Sequence, residues 1–470
     1  MRPALLTLLI APALLFAGCT APTDVREPEV QAEPVSPAFP STYRPLPSGP
    51  VAITHATILT GTDQQLDDAT ILMQDGVIRA VGRNIDLPDG VTLVDGTGKW
   101  VTPGLIDVHS HLGVYPSPSH EANADGNELT NPNTAQVWAE HSVWPQDPQF
   151  TLALAGGVTT LQILPGSGNL FGGRSVTLRN LPATTVQQMK FPGAPYGLKM
   201  ACGENPKRVY GTRDQAPQTR MGEVAGYRTA WIQAADYIRK WQAYHDKVAK
   251  GEEAEPPLRD LQLETLAGVL KGEILVHNHC YRSEEMAVMI DIAKEFGYHV
   301  TAFHHAVEAY KIADLLAKND VCAVMWPDWW GFKQEAFDMV EANIAIVDHA
   351  GACAIVHSDS ATTGQHLNQE TAKALASARD MGYDVSRAHA IKWITANPAK
   401  ALGILDKTGT LEPGKMADVV LWDGDPFSVY TRTARVYMDG ALVFDRADRA
   451  HQPVTDFDLG ILDPDKDRLQ

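Results

Sequence analysis

The sequence predicts an α/β protein in which a TIM (β/α)8 barrel carries a small β-sandwich domain built from both chain ends. Between residues 101 and 403, short apolar runs recur with amphipathic segments between them, which is typical of a parallel sheet covered by helices. Residues 51–100 and 404–450 instead contain short strand-like runs separated by Gly and Asp turns. At 470 residues, the chain is long enough for one large domain and a smaller one.

Eight apolar runs in the middle region predict the barrel strands. A TIM barrel gathers its active site at the C-terminal ends of its strands, so chemistry is expected where each run ends. Residues 206–261 form a predicted insertion after the fourth run, and Met221–Lys250 within it is close to helical periodicity. That helix fits either a lid or an outer packing helix. The predicted strands are Leu105–His111, Val158–Leu164, Arg174–Arg179, Gly197–Cys202, Glu273–His279, His299–His305, Val321–Pro327 and Cys353–Asp359.

The two β-rich end segments carry clear turn signals. The pairs Asp75-Gly76 and Asp439-Gly440 each stand between apolar runs, and an Asp-Gly pair in that setting is a strong hairpin signal. Pairing of residues 51–100 with residues 404–450 would place both chain ends in one small sandwich. Residues 451–470 would then form a C-terminal tail.

The N-terminus has the pattern of an export signal over residues 1–19. Arg2 precedes an apolar run, Leu5 to Phe16, that is too short to span a bilayer. The run ends in Phe16-Ala-Gly-Cys19, which resembles a bacterial lipobox with Cys19 as the lipidated residue; ordinary signal cleavage is the alternative. Residues 20–50 have the Pro-, Glu- and Ser-rich composition of a disordered tether. The prediction is a periplasmic protein anchored by lipid to the cell envelope, at the outer membrane of a Gram-negative bacterium.

The charge balance limits the partners of the chain. A formal net charge of −18 argues against nucleic acid and against an anionic membrane surface, because both repel an acidic protein. The expected partner is therefore a small-molecule substrate, with membrane contact only through the N-terminal lipid. The sequence leaves a homo-oligomer open.

Four further cysteines, Cys202, Cys280, Cys322 and Cys353, are scattered along the chain with no CxxC pair. This spacing suggests neither a zinc ribbon nor an obvious disulfide framework. Each cysteine lies in or beside an apolar run, so we expect buried small hydrophobic side chains.

Two histidines end the first predicted barrel strand. His109 and His111 are two residues apart, so on an extended strand both imidazoles project from the same face. Two neutral imidazoles on one face can bind one divalent cation, and zinc favours nitrogen ligands of this kind. An isolated His-x-His would more often only form hydrogen bonds, so its context decides.

That context resembles a known family. The string Val101-Thr-Pro-Gly-Leu-Ile-Asp-Val-His109-Ser-His111 resembles the first barrel strand of the amidohydrolase superfamily. Farther along, Ile394-Thr-Ala-Asn-Pro-Ala-Lys-Ala-Leu-Gly403 and Gly414-Lys-Met-Ala-Asp-Val-Val-Leu421 are similar to imidazolonepropionase-like members. The resemblance implies a metal-dependent hydrolase with one or two divalent ions, and Zn²⁺ is the expected metal. It also implies that His109 and His111 are metal ligands.

The resemblance implies three further polar positions. Lys199, within the fourth strand, aligns with a lysine that is carboxylated in many relatives and bridges two metals. Glu204, just past that strand, is the rival bridge. Asp359, which closes the eighth strand, aligns with an aspartate that binds metal and shuttles a proton, and a carboxylate at that place can move a proton between water and a leaving nitrogen.

The fifth and sixth strands supply the other expected ligands. By resemblance, His277 is the single fifth-strand ligand, which leaves His279, on the same face, as a group that either supports the metal ligands or contacts substrate. Adjacent residues of a strand point to opposite faces, so we expect only one of His304 and His305 to face the barrel interior. By resemblance that residue is His305, and His304 is then a packing or substrate histidine.

The predicted function is hydrolysis of a C–N bond in an amide, cyclic amide or peptide. Tyr281 and Arg282, just beyond the fifth strand, are the predicted substrate contacts, and Arg282 would suit a substrate carboxylate. A lactonase of the same superfamily is an alternative. A deaminase is another, although Cys280 stands where deaminases carry a glutamate. A catalytically silent envelope binding protein is the alternative of a different class, because fold alone does not confer activity.

Overall fold

The computed structural model describes residues 39–454. The predicted export signal, Cys19 and most of the predicted tether and tail lie outside the described residues. Within the described part of the chain, no helix combines the length and the apolar character needed to cross a membrane.

The described residues form sixteen strands in two sheets. In chain order the strands are β1 Val51–Leu59, β2 Gln65–Gln74, β3 Val77–Gly82, β4 Thr92–Asp95, β5 Trp100–Pro103, β6 Leu105–Ser110, β7 Val158–Ile163, β8 Phe171–Arg179, β9 Gly197–Ala201, β10 Leu275–His279, β11 Ala302–His304, β12 Cys322–Met325, β13 Cys353–Val356, β14 Val419–Trp422, β15 Thr433–Met438 and β16 Ala441–Asp445.

One sheet combines the two ends of the chain. Its order is β16-β15-β14-β5-β1-β2-β3, and β4 pairs with β1. The junction is the antiparallel pairing of β14 with β5, in which Trp422 lies opposite Trp100. Asp439 and Gly440 both have positive φ angles, as a two-residue hairpin turn between β15 and β16 requires. The composite origin of this sheet agrees with the sequence, and its division into two sandwich layers stays a prediction.

The second sheet holds the eight predicted barrel strands, in the order β13-β12-β11-β10-β9-β8-β7-β6. The sheet curls until its two ends meet, and there the Asp359 N–H donates to the His109 carbonyl at 3.1 Å. One expectation was wrong, because β8 runs antiparallel to both neighbours. Only residues 164–170 connect β7 to β8, whereas a parallel crossover needs a dozen residues or more.

Twelve α-helices surround the barrel in the described residues. The longest, α4, spans 30 residues in the predicted insertion and begins at a Thr219 cap. Its Trp231 is fully buried and packs against Phe171 and Tyr298, with ring centroids 5.3 and 4.5 Å away. This helix therefore packs on the outside of the barrel and is not a lid. The helices are α1 Pro148–Ala155, α2 Val186–Met189, α3 Glu204–Gly211, α4 Arg220–Ala249, α5 Leu261–Leu270, α6 Ser283–Phe296, α7 Ala313–Lys318, α8 Asn343–His349, α9 Ala361–Gly364, α10 Leu367–Asp380, α11 Arg387–Ala390 and α12 Ala396–Ala401.

The four cysteines of the barrel form two disulfides, Cys202–Cys280 and Cys322–Cys353. The expectation of unpaired buried cysteines was therefore wrong. The partners are 78 and 31 residues apart in sequence, but each pair joins neighbouring strands of the barrel sheet, and Cys322 lies directly opposite Cys353. Spacing along the chain could not reveal a pairing that the barrel creates.

Candidate metal centre

Three imidazoles and one carboxylate meet at the C-terminal mouth of the barrel. The Nε2 atoms of His109 and His111 lie 3.3 Å apart, and Asp359 Oδ1 lies 3.5 and 3.3 Å from them. Asp359 Oδ2 lies 3.7 Å from His305 Nε2. The structure thus brings together His109, His111, His305 and Asp359, all of them singled out in the sequence, from the first, sixth and eighth strands.

The other ring nitrogens of the first-strand histidines are held by the protein. His111 Nδ1 lies 2.8 Å from the Leu164 carbonyl, so it must carry the proton it donates. His109 Nδ1 lies 2.8 Å from His304 Nδ1. Hydrogen bonds at one nitrogen set the tautomer and turn the other lone pair towards a metal, as in many metal sites. Both Nε2 atoms therefore face the Asp359 carboxylate.

The two histidines that end the sixth strand both reach the site. Strand alternation predicts that only one would, and that prediction was wrong. The strand β11 ends at His304, and His305 takes a left-handed conformation with φ of 59°, so alternation no longer applies between them. His304 forms a hydrogen bond with the His109 ring, whereas His305 faces Asp359.

The two fifth-strand histidines do not lie where the sequence suggested. His277 Nδ1 lies 2.9 Å from His304 Nε2, which extends a buried series of imidazoles from His109 through His304 to His277. The His279 ring lies 4.8 Å from the His305 ring, and the Nδ1 atoms of both are buried with no hydrogen-bond partner among the described residues. The geometry therefore favours His279, rather than His277, as the fifth-strand group beside the cluster.

Lys199 and Glu204 differ sharply in their surroundings. Lys199 is fully buried in β9, where its Nζ donates to the Pro165 carbonyl at 3.2 Å. Burial lowers the pKa of Lys199 to about 7, although the nearby Asp359 opposes the effect. Glu204 lies at the start of α3 with its carboxylate 3.5 Å from Lys333 Nζ. Lys199 therefore lies within the barrel mouth, and Glu204 belongs to its rim.

The two predicted substrate contacts, Tyr281 and Arg282, also differ in their surroundings. The buried Tyr281 ring is nearly parallel to the His305 ring, with centroids 5.6 Å apart, and so lines the site. Arg282 Nε instead donates to Glu284 Oε1 at 2.7 Å at the start of α6. Its charge is engaged by that carboxylate, which argues against a role in binding substrate.

Several residues near the site were not recognised in the sequence. Trp326 stacks on His305 with ring centroids 4.3 Å apart, and Lys333 Nζ lies 3.9 Å from the Tyr281 ring centroid. Both follow the seventh strand, in Trp326-Pro-Asp-Trp-Trp-Gly-Phe-Lys333. Such a concentration of aromatic rings at the end of a barrel strand was a usable signal. The His357 ring also lies beside the site, with its centroid 4.8 Å from that of His305.

The donor set suits a divalent metal. Burial lowers the pKa of His109, His279 and His305 well below the ordinary histidine value, so these rings are neutral and have a free lone pair. Neutral imidazoles with a carboxylate are a donor set that zinc accepts. In addition, single donor atoms of His109, His305 and Asp359 all lie within 4.8 Å of one another. Within residues 39–454, His279 Nδ1 and His305 Nδ1 are buried without a hydrogen-bond partner, and a bound cation would satisfy such nitrogens.

Comparison with known proteins supports the same family. Residues 100–450 match the model of the amidohydrolase family. Amidohydrolase tasK of Hapsidospora irregularis is 31% identical over 395 residues, which cover 80% of this chain but only 40% of that protein. The imidazolonepropionase of Agrobacterium fabrum is 26% identical over 388 residues, covering 76% of this chain and 85% of that protein. The solved structure of an amidohydrolase from Thermotoga maritima MSB8 superposes with a TM-score of 0.77 at 35% identity, covering 84% of this chain and all of that one. The chain therefore belongs to the amidohydrolase family.

Proposed function

We propose that this protein is a metal-dependent hydrolase that cleaves a C–N bond of an amide, cyclic amide or peptide with water as the nucleophile. The observation that carries the proposal is the convergence of His109, His111 and His305 on the carboxylate of Asp359. Family membership supports the same chemistry. A silent binding protein would not need this donor set to be retained.

His109, His111 and Asp359 would hold one Zn²⁺ ion, and His279 and His305 would hold a second. Lys199 would bridge them after its neutral amine adds CO₂, which forms an N–C bond, releases a proton and leaves a carbamate with two oxygens. Bound at this place, a divalent ion would polarise a carbonyl and lower the pKa of water to roughly 7.

The chain's own residues supply orientation and proton transfer. Asp359 faces two histidines with one oxygen and a third with the other, so its carboxylate is fixed at the centre of the site. There it would accept the proton of the attacking water and return it to the departing nitrogen, which must leave as a neutral amine. Trp326 and Tyr281 would exclude bulk water from one side of the site.

We also propose that the protein is exported and that Cys19 carries the lipid anchor. The two disulfides support export, since disulfides persist in oxidising compartments and are rare in the cytosol. Labelling of cells with palmitate tests the anchor. A labelled product that disappears in Cys19→Ser supports it, and unchanged labelling contradicts it.

The hydrolase proposal is tested by metal analysis and a substrate screen. Purified protein supplied with zinc should hold about two ions per chain, whereas His109→Ala and His305→Ala should each hold less. His299→Ala is the matched control, because His299 is an exposed histidine just before β11. A screen of dipeptides, N-acyl amino acids, cyclic amides and lactones then gives the reaction. Protein that binds no metal and hydrolyses nothing would favour the silent binding protein instead.

A further inference from the structure

An aromatic wall leads from the candidate metal centre to the protein surface. It consists of Trp326, Trp329 and Phe332, which follow β12. The Trp326 ring stacks on His305, and the Trp329 ring stacks on Trp326 with centroids 5.1 Å apart. The Phe332 ring lies against both, with its centroid 5.8 Å from that of Trp326 and 6.5 Å from that of Trp329. Phe332 is 56% exposed, so the wall offers an apolar surface that runs from the cluster to solvent.

A lysine stands at the edge of this wall. Lys333 follows Phe332 directly, and its ammonium lies 3.9 Å from the Tyr281 ring centroid. Its side chain is only 16% exposed, which is unusual for lysine and requires partners. Burial lowers the pKa of Lys333, against the effect of the nearby Glu335 and Glu204.

The ammonium of Lys333 is held in place, but not all of its N–H groups donate a hydrogen bond within the described part of the chain. Among the described residues it makes one hydrogen bond, to Asn205 Oδ1 at 3.4 Å, although an ammonium has three N–H donors. Glu204 and Glu335 lie 3.5 and 3.7 Å away, beyond ordinary hydrogen-bond length. One Glu335 oxygen already accepts the Glu204 N–H at 2.6 Å. The two carboxylates therefore hold Lys333 at the mouth and leave donors for a ligand.

The Lys333 ammonium is placed to bind a substrate group that lies next to the bond to be cleaved. Lys333 Nζ lies 3.9 Å from the Tyr281 ring centroid. The centroid of that ring lies 4.9 Å from the His279 ring and 5.6 Å from the His305 ring. The predicted carboxylate-binding residue, Arg282, is engaged by Glu284. Lys333 is thus better placed than Arg282 to bind an anionic group of a substrate whose amide lies at the metal centre.

We propose that the substrates are N-acylated α-amino acids with an aromatic or large apolar side chain, whose free carboxylate binds Lys333 and whose side chain packs on the aromatic wall. This specificity rests on the proposed hydrolase function. The acyl carbonyl would lie at the metal centre, and the amino acid would be the product that carries the leaving nitrogen. A C-terminal aromatic residue of a dipeptide presents the same groups.

Three probes separate the two contacts on the zinc-supplied full chain. N-acetyl-L-phenylalanine has both groups, N-acetyl-L-phenylalaninamide lacks the carboxylate, and N-acetylglycine lacks the side chain. The kcat/KM is measured where a probe is hydrolysed, and the Kd by calorimetry where it is not. We expect the first probe to be preferred over each of the others by about tenfold or more, the range of one charge-assisted hydrogen bond or one buried ring.

Variants assign each preference to its residue. Lys333→Met should abolish the preference for the acid over the amide, and Lys333→Arg should retain most of it. Trp329→Ala should reduce the preference for phenylalanine over glycine. The control is Lys271→Met, because Lys271 is an exposed lysine at the end of α5, and it should change neither ratio.

The outcomes distinguish this proposal from the hydrolase proposal. If the wild-type protein shows no preference for the acid, or if Lys333→Met keeps it, the specificity is wrong even when other amides are hydrolysed. If no amide is hydrolysed but calorimetry shows the acid preference and its loss in Lys333→Met, the recognition site stands and the hydrolase proposal fails.

Discussion

His304 and His109, 195 residues apart in sequence, share a buried hydrogen bond between their Nδ1 atoms at 2.8 Å. This bond fixes the His109 ring and turns its Nε2 towards Asp359. His277 supports His304 in the same way from the other side. His109, a proposed metal ligand, is therefore held in place by His304, which is held in turn by His277.

Replacement of His304 should weaken metal binding without removing a ligand. Loss of such an outer partner typically costs 10–100-fold in metal affinity or activity, so we expect His304→Ala to bind zinc about 10–100-fold more weakly than wild type. Competition with a chelating dye measures the affinity. The exposed His299→Ala should bind zinc like the wild-type protein, and an unchanged affinity in His304→Ala would contradict the supporting role.

Lys199 and Glu204 should differ in metal content. Lys199 is fully buried beside the cluster, whereas the Glu204 carboxylate faces Lys333 at the rim. We therefore expect Lys199→Ala to hold fewer zinc ions per chain than wild type and Glu204→Ala to hold the same number. Elemental analysis after dialysis gives both values. The opposite pattern would make Glu204 the bridge.

The sequence predicted those site residues that lie at the ends of barrel strands. His109, His111 and Asp359 each end an apolar run, and the barrel mouth brings such ends together, so their meeting followed from the fold. The sixth strand was different. That both His304 and His305 reach the site depends on the left-handed φ of His305, which leaves no mark in the pattern of apolar residues.

Other features depend on contacts that no local pattern records. The antiparallel direction of β8 is the exception, because the connection between the predicted second and third strands was already too short for a parallel crossover. The disulfides depend on which strands become neighbours. The different places of His277 and His279 depend on depth in the barrel. Both side chains lie on the same face of β10, and only the structure shows that His279 is the one beside His305.

A buried arginine joins the barrel to the composite sheet, and its removal should be strongly destabilising. Arg179, fully buried in β8, contacts Asp418 at 2.5 Å and Asp439 at 3.0 Å. Removing one partner of a buried ion pair leaves an uncompensated charge at a cost of about 3–5 kcal/mol. We expect Arg179→Met to lower the free energy of unfolding by about that much in urea titrations. The control Arg228→Met breaks an exposed pair with Glu295 and should cost less than about 1 kcal/mol.

The stability of the protein should depend on pH through His389. Its Nδ1 lies 2.7 Å from Asp63, and its Nε2 lies 2.8 Å from Asp348, so it links the composite sheet to the barrel helices. A hydrogen bond to Asp348 raises the pKa of His389, although burial opposes it. Because the folded-state pKa is the higher one, the stabilisation is complete below the ordinary value of about 6.5 and is lost as the pH rises through the folded value.

We therefore expect the urea midpoint of wild type to exceed that of His389→Gln by more at pH 6 than at pH 9. The comparison of the two proteins at each pH cancels the effects of all other titrating groups. A difference that is equal at the two pH values, or larger at pH 9, would contradict the role of the charged imidazole.

The two disulfides should have separable effects. Cys322–Cys353 joins the first residues of β12 and β13, at the end of the barrel away from the metal centre, where contacts govern stability rather than chemistry. Closing a loop of 31 residues stabilises the folded protein by about 3.7 kcal/mol in the chain-entropy relation. We expect the double variant Cys322→Ala, Cys353→Ala to unfold at lower urea and to keep the wild-type kcat/KM and zinc content.

The other disulfide lies beside the candidate metal centre. Cys280 follows His279 directly, so the double variant Cys202→Ala, Cys280→Ala should also lose zinc affinity. Equal loss of activity in the two double variants would show that the disulfides stabilise the barrel as a whole and that neither positions the metal centre.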